Sequence, residues 1–388
     1  MKKFKKPAII LMVCFCLLIV YLLRITYVRT RKFGSPIEIA YECVKTIKNY
    51  NLNKKIDKVK RFLTNDEKYL SETDNRWYFK DEDGHIYEEV NKIEESKIQS
   101  NIQKLFNFYQ YCENQGCKFL YIAAPSKSYN ATYKYGIDNF ENENFDAMIK
   151  CIDDYKIPYL SVTQKAIDEG KQIKDLFFKA DGHWTSEAGF WATGKILNEL
   201  NSRYGFNYDD ELTDSENWNY KQKRKFIGYW KQKSDNLDMF VNVPKENFGI
   251  YTPKFDTDLT VTNICSGDTR RGTFENSVLF DNRESMFRIL YSYYSNGDIR
   301  LQSMKNNLNE QGETIYLVRT SFACVVSPFL ALQCKELYNA DMRVCDFVDG
   351  EEIFSAYEFV KENKPDYVLV LYNSVYANRT AWDFNQNG

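Results

Sequence analysis

Two blocks of strand-then-helix alternation, separated by residues 206–312, constrain the fold of this chain more than any other feature. In the first block Lys118–Ala124 is a short apolar run, Phe140–Tyr155 has helical spacing, Pro158–Ser161 is apolar again, and a helix starts near Ser186. In the second, Ile315–Arg319, Leu337–Asp341 and Tyr367–Tyr372 read as strands, with helices opening at Ser327-Pro328 and spanning Glu351–Lys364. This alternation predicts an α/β fold, a parallel sheet between helices. Neither block alone has enough strands to bury its apolar faces, so both are expected in one sheet. Functional groups in such sheets gather at the carboxyl ends of the strands.

The residues between the blocks break the rhythm. They are polar and aromatic, punctuated by Gly228, Gly267, Gly272 and Gly297, and predict a β-rich insertion, 206–312, within a domain spanning 66–388. Ahead of the first block, Trp77-Tyr78-Phe79, a polar Asp81-Glu82-Asp83-Gly84 and His85-Ile86-Tyr87 spell a hairpin, followed by helical spacing over 97–114. Residues 29–65 are Lys-rich with weak helical spacing and read as a stalk. Before them, Lys2, Lys3, Lys5 and Lys6 precede an uncharged run, Pro7–Leu23. As a helix that run spans about 26 Å, and snorkelling by Arg24 with continuation to Val28 reaches a ~30 Å hydrocarbon core. No small-residue cleavage site follows, so residues 1–28 are expected to form a cytoplasmic tip and an uncleaved transmembrane signal anchor. Arg24, Arg29, Arg31 and Lys32 balance the four lysines, and charge alone leaves the orientation open.

A net charge of −2 with interspersed signs leaves no nucleic-acid footprint. Ten cysteines without a C-x-x-C pair, beside two histidines, argue against a zinc site; the pairing of the cysteines outside the apolar run is open. With two histidines the choice of a general base is short. Asp181-Gly182-His183-Trp184-Thr185 runs into a helix with Phe190, Trp191, Ile196, Leu197 and Leu200 on one face, Ser186 as N-cap and Gly205 past its end. A carboxylate two residues before an imidazole can hold one ring nitrogen and leave the other free as a base. Asp83-Gly84-His85 has the same spacing, but a hairpin turn already explains its Asp-Gly, and His85 opens the next strand. Ser321 falls just after a strand and before a helix, where a nucleophile would meet backbone N–H groups facing a developing oxyanion. Ser126 and Ser327 are rival serines, Ser327 being better explained as a helix cap.

The Asp181–Thr185 run with Gly189 resembles the signature of SGNH-hydrolase-like O-acetyltransferases of the AlgJ/AlgX type and their DHHW-protein relatives, Gly182 standing where the DHHW name has its first histidine. Val318-Arg319-Thr320-Ser321-Phe322, Pro328-Phe329-Leu330 and Asp341-Met342-Arg343 resemble the nucleophile block of the same family. Arg271-Gly272-Thr273-Phe274 and Tyr291–Gly297 resemble its intervening part, so the likeness covers about residues 66–376 in order. It implies an SGNH-hydrolase-like (flavodoxin-like) sheet in circularly permuted motif order, the serine coming last. It also implies Ser321 as nucleophile, His183 as general base and Asp181 as its orienter. Arg343, Lys127 and Trp184 are implied as substrate-binding or oxyanion residues, Lys127 through a Pro-x-Lys shared with the family. Arg343 suits a salt bridge to Asp341 or Asp346 equally well. Where the family has Asp before the serine this chain has Thr320, which puts activity in question.

The resemblance further implies a membrane-anchored O-acetyltransferase or acetylesterase acting on a cell-surface polysaccharide through an acetyl-serine intermediate. Its catalytic domain would stand outside the cytoplasm on a single-pass anchor, supplied with acetyl groups by a multi-spanning membrane acyltransferase. No metal or bound cofactor is implied. The competing expectation is a non-catalytic glycan-binding or polysaccharide-assembly protein that keeps the fold.

Overall fold

The computed structural model describes residues 70–73, 76–133, 138–226, 228, 246–279, 291–295, 297–342, 354–373 and 380–384. The expected anchor at 1–28, the expected stalk at 29–65 and the start of the domain at 66 lie outside them, as does Arg343. Among the described residues no helix is long and apolar enough to cross a membrane.

A three-stranded antiparallel sheet comes first: β1 (Leu70–Thr73), β2 (Arg76–Lys80) and β3 (Ile86–Glu88). α1 (Glu95–Asn114) then leads to β4 (Lys118–Ala123), α2 (Glu141–Asp154), β5 (Tyr159–Ser161), α3 (Val162–Asp168) and α4 (Ser186–Tyr204). β6 (Trp218–Phe226) and β7 (Glu246–Pro253) form their own antiparallel pair. β8 (Leu259–Asn263), β9 (Thr269–Gly272), α5 (Phe274–Val278) and β10 (Leu301–Asn306) follow. The chain closes with β11 (Thr314–Arg319), α6 (Ser327–Ala331), β12 (Glu336–Asp341), α7 (Ala356–Asn363) and β13 (Tyr367–Tyr372).

Eight strands share one sheet in the order β5-β4-β13-β11-β12-β10-β8-β9. The first five run parallel to one another, and β13 sits between β4 and β11, so both sequence blocks build one sheet as expected. The period of two sorts the side chains. Leu369 and Leu371 of β13, with Ile315 and Leu317 of β11, face one core with α3, α4 and α6. Val368, Val370, Tyr316 and Val318 face the other, against α1, α2 and α7. A strand buried on both faces must be apolar throughout, and every residue of β13 is buried.

Within 206–312, β10, β8 and β9 of the described residues add antiparallel strands to the edge of the main sheet, while β6 and β7 pair with each other. Two local expectations are corrected. The N-cap of α4 is Thr185, whose Oγ1 accepts from the Ala188 N–H at 3.1 Å, while the buried Ser186 hydroxyl donates to the Gly249 carbonyl at 2.8 Å. Ser327 caps nothing; its hydroxyl donates to the Ala323 carbonyl at 2.9 Å and meets Asn339 Oδ1 at 2.8 Å. Gly205 ends α4 as read, at φ 72°, where a side chain would be strained.

Candidate active site

Ser321 stands at the carboxyl end of β11, where an extended Thr320 gives way to the short 3-10 turn Ser321–Val325. That turn comes from backbone closure: the Ala323 N–H donates to the Thr320 carbonyl at 3.1 Å. Arg319 anchors the strand below it, buried and ion-paired to Asp298 at 2.5 Å and Asp341 at 3.4 Å.

The histidine loop is a tight one. Phe177 and Trp184 pair across it, and the Phe178 N–H donates to the His183 carbonyl at 3.2 Å. Within it Asp181 Oδ1 accepts from the His183 backbone N–H at 2.9 Å and meets His183 Nδ1 at 2.6 Å. Asp181 is 1% exposed, so this carboxylate has little water to satisfy it and holds the ring instead. With the Nδ1 proton directed to Asp181, Nε2 is left as an acceptor, and it lies 2.7 Å from Ser321 Oγ. Residues 138 positions apart in sequence thus meet at hydrogen-bond distance.

Two aromatics brace the pair. Tyr291 stacks on the His183 ring at 4.1 Å between centroids and 21° between planes, and its hydroxyl donates to the Phe322 carbonyl at 3.3 Å. Trp184 Nε1 donates to the same carbonyl at 2.8 Å. The His183 ring and the turn at Ser321 are therefore tied through one backbone oxygen. α4 also touches the turn directly, at Gly189 against Val325, where a Cβ would meet Val325 Cγ2 at 2.4 Å.

The described structure is similar to Bacillus cereus PatB1, at a TM-score of 0.65 and 18% identity over 80% of this chain and 100% of that one. A second PatB1 structure, with a sulfonyl adduct, gives a TM-score of 0.63 at 18% identity over 80% of this chain and 98% of that one. A DHHW family protein from Eubacterium siraeum gives 0.60 at 17% identity over 81% of this chain and 96% of that one. The fold is shared. The O-acetyltransferase domain of Pseudomonas putida AlgJ is similar more loosely, with a TM-score of 0.46 and 11% identity over 78% of this chain and 92% of that one, a likeness too distant to argue from. No family model matches the chain, and no curated protein matches it in sequence.

The remaining expected site residues take supporting positions around the Asp181–His183–Ser321 contact. Trp184 is fully buried and has no face to offer a sugar; it braces the turn that opens at Ser321. Lys127, 4% exposed, donates to the carbonyls of Phe178, Lys179 and Asp181 and so holds the histidine loop. His85, the rival base, is buried, its Nδ1 has no partner among the described residues, and burial pulls it down to about 4. Its turn is closed by Asp81, whose Oδ1 accepts from the His85 N–H at 2.8 Å, as the hairpin chemistry predicts. Ser126 and Ser327 are both buried, and the two ring nitrogens of His183 meet Asp181 and Ser321 instead. Tyr291 opens the family-like run Tyr291–Gly297, but nothing in that run marks it, among 29 tyrosines, as the ring that stacks on His183.

The described cysteines 112, 117, 151, 265, 324 and 334 are free. Among the described residues no group of three or more His, Cys, Asp or Glu side chains is arranged to hold a metal ion.

Proposed function

We infer that this protein is a serine O-acetyltransferase or acetylesterase of the cell envelope, acting through Ser321, His183 and Asp181. The observation that carries the reading is the continuous contact from Asp181 Oδ1 through both imidazole nitrogens to Ser321 Oγ, at 2.6 and 2.7 Å. Those distances let His183 Nε2 take the Ser321 proton as Oγ attacks the acetyl carbonyl of an ester or thioester donor. Collapse of the tetrahedral intermediate breaks the bond from carbonyl carbon to leaving group, and His183 returns the proton to that group. The acetyl-serine then faces a sugar hydroxyl or water. That acceptor gives its proton to Nε2, its oxygen takes the acetyl group, and the proton goes back to Ser321.

A cell-surface polysaccharide as acceptor, and a multi-spanning acyltransferase as the source of acetyl groups, follow from the resemblance of the Asp181 and Ser321 runs to the AlgJ/AlgX type. The same reading places Pro7–Leu23 in the membrane with the domain outside the cytoplasm. A membrane-impermeant thiol reagent on cysteines introduced at 35–65 should label them in intact cells; protection of every site overturns that orientation.

For the chemistry, full-length protein is assayed with para-nitrophenyl acetate. Ser321→Ala, His183→Ala and Asp181→Ala should each lose on the order of 10³-fold or more in kcat, and Ser321→Ala/His183→Ala little beyond either alone, because triad members act as a unit. One similar structure carries a sulfonyl adduct, and an aryl sulfonyl fluoride should add one sulfonyl mass to wild-type protein and none to Ser321→Ala. Wild-type turnover in Ser321→Ala removes the covalent mechanism. A wild-type protein inert to both reagents favours the glycan-binding or assembly reading.

A further inference from the structure

The loop that carries Asp181 is held from two sides by residues remote from it in sequence. On one side Lys127 Nζ donates to the carbonyls of Phe178 at 2.6 Å, Lys179 at 2.7 Å and Asp181 at 3.1 Å. An ammonium has three N–H donors, and three carbonyls converge on this one. On the other side the Glu246 carboxylate, at the start of β7, accepts from the N–H groups of Lys179 at 2.7 Å and Ala180 at 2.9 Å. Two further contacts close the loop in. The Ile86 N–H donates to the Lys179 carbonyl at 2.8 Å, and Gly228 packs so near the Ala180 carbonyl that a Cβ there would lie 2.0 Å from its oxygen.

Burying an ammonium is costly, and an apolar side chain of similar length would fill the same space at less cost. Burial pulls Lys127 down to about 7, against the pull of Glu246, Asp181 and Asp81. What lysine offers that an apolar residue does not is a three-way grip on backbone. The gripped segment ends at the carboxylate whose placement within 2.6 Å of His183 Nδ1 fixes the tautomer of the base.

The geometry points to Lys127 and Glu246 as a pair of positioning residues that clamp the backbone of residues 178–181 and thereby set Asp181 against His183. Lys127 passes from the expected substrate contact to a support acting through Asp181, and Glu246 joins it from a segment with no motif. The inference rests on the Ser321–His183–Asp181 reading, but part of its test does not.

The chain has two histidines, so isotope-labelled histidine in the full-length protein gives two ring spectra, assigned with His85→Gln. In the wild-type protein His183 should show a single tautomer with a downfield Nδ1 proton bonded to Asp181. Lys127→Met and Glu246→Gln should each weaken or abolish that signal. In the para-nitrophenyl acetate assay each should lower kcat by about 10–100-fold, the loss that a misplacement of about 1 Å brings, with KM within about threefold. The double variant should fall short of the product of the two effects, because both grips serve one loop.

An unchanged Nδ1 signal with unchanged kcat in Lys127→Met overturns the clamp. A rise in KM alone also overturns it, returning Lys127 to substrate contact. Should Lys127→Met fail to fold, Glu246→Gln, acting from the more exposed side, carries the same two readouts. A wild-type protein that shows the Nδ1 signal, loses it in the variants, and never turns over acetyl esters supports the clamp and removes the proposed function.

Discussion

Gly189 gives the sharpest test of how closely His183 and Ser321 are coupled. It lies on the first turn of α4, six residues after His183, and its missing Cβ is what lets the helix lie on the turn that Ser321 opens. In Gly189→Ala the new methyl would sit 2.4 Å from Val325 Cγ2 and 2.5 Å from the Val325 carbonyl oxygen. Ordinary contact between such atoms is about 3.5 Å, so helix and turn must part by on the order of 1 Å. A side chain could rotate aside, but a carbonyl oxygen in a hydrogen-bonded turn has nowhere to go. Overpacking of this kind costs about 1–3 kcal/mol. At roughly 2–4 °C of Tm per kcal/mol for mid-sized domains, a fall of a few degrees follows. The kinetic effect should be larger in proportion, because a separation near 1 Å acts directly on the 2.7 Å contact between His183 Nε2 and Ser321 Oγ and costs about 10²-fold in kcat. Adding Val325→Ala removes the Cγ2 clash and leaves the oxygen clash, so the double variant should recover part of the loss. Tm by circular dichroism and kcat on para-nitrophenyl acetate decide it. Wild-type values of both in Gly189→Ala would refute the close approach and the coupling built on it.

Two further predictions follow from buried polar groups. Trp184→Phe keeps the ring packing but removes the donor to the Phe322 carbonyl, so kcat should fall about tenfold, the equivalent of about 1.4 kcal/mol, with KM unchanged; a KM effect alone would restore Trp184 to sugar contact. Glu141 is fully buried at the start of α2, and that burial pushes it up to about 8, the Ser126 hydroxyl opposing the rise. Between its ordinary 4.5 and 8 the folded protein keeps a proton that the unfolded chain has released, so this group makes stability fall as pH rises through that window. The Tm advantage of Glu141→Gln over wild type should therefore be greater at pH 8 than at pH 5; an equal difference at both would show that Glu141 does not titrate there.

The sheet was legible because burial on both faces leaves a continuous apolar record, as in Tyr367–Tyr372 and Lys118–Ala123. The meeting of Asp181, His183 and Ser321 was legible for a different reason: they sit in short runs whose neighbours, Trp184 and Phe322 among them, are constrained by the same packing. β8 and β9 were not recognisable as members of the main sheet, since short half-polar strands carry no mark of which sheet they join. The exchange of roles between Thr185 and Ser186 shows the same limit. Both residue types cap helices, and only the presence of the Gly249 carbonyl, 63 residues on, draws Ser186 inward. Glu246 was invisible for that reason too: its partners, the N–H groups of Lys179 and Ala180, identify it, and they lie 67 and 66 positions away.

The departure at Thr320 bears on whether the site works, and the structure allows it to be weighed. If an Asp before the serine were needed to shape the nucleophile turn, its replacement should leave that turn poorly held. The turn is instead held by other groups: the Ala323 N–H to the Thr320 carbonyl, Ser327 to the Ala323 carbonyl, Trp184 to the Phe322 carbonyl, and Arg319 between Asp298 and Asp341 beneath. The Thr320 side chain joins none of these; it is fully buried and its Oγ1 has no partner among the described residues. An unpaired buried hydroxyl is itself a cost, on the order of 1 kcal/mol, that a methyl in the same place would not incur. Thr320→Val should thus hold or slightly raise Tm and keep kcat within about threefold, a change of less than about 0.7 kcal/mol in the barrier. Thr320→Asp should lower Tm, because an ionised carboxylate would enter a site with no waiting donor. A drop in kcat of more than about tenfold in Thr320→Val at unchanged Tm would sink this argument. The hydroxyl would then have a partner that exists only during the reaction, and Thr320 would belong to the chemistry rather than to the wall behind it.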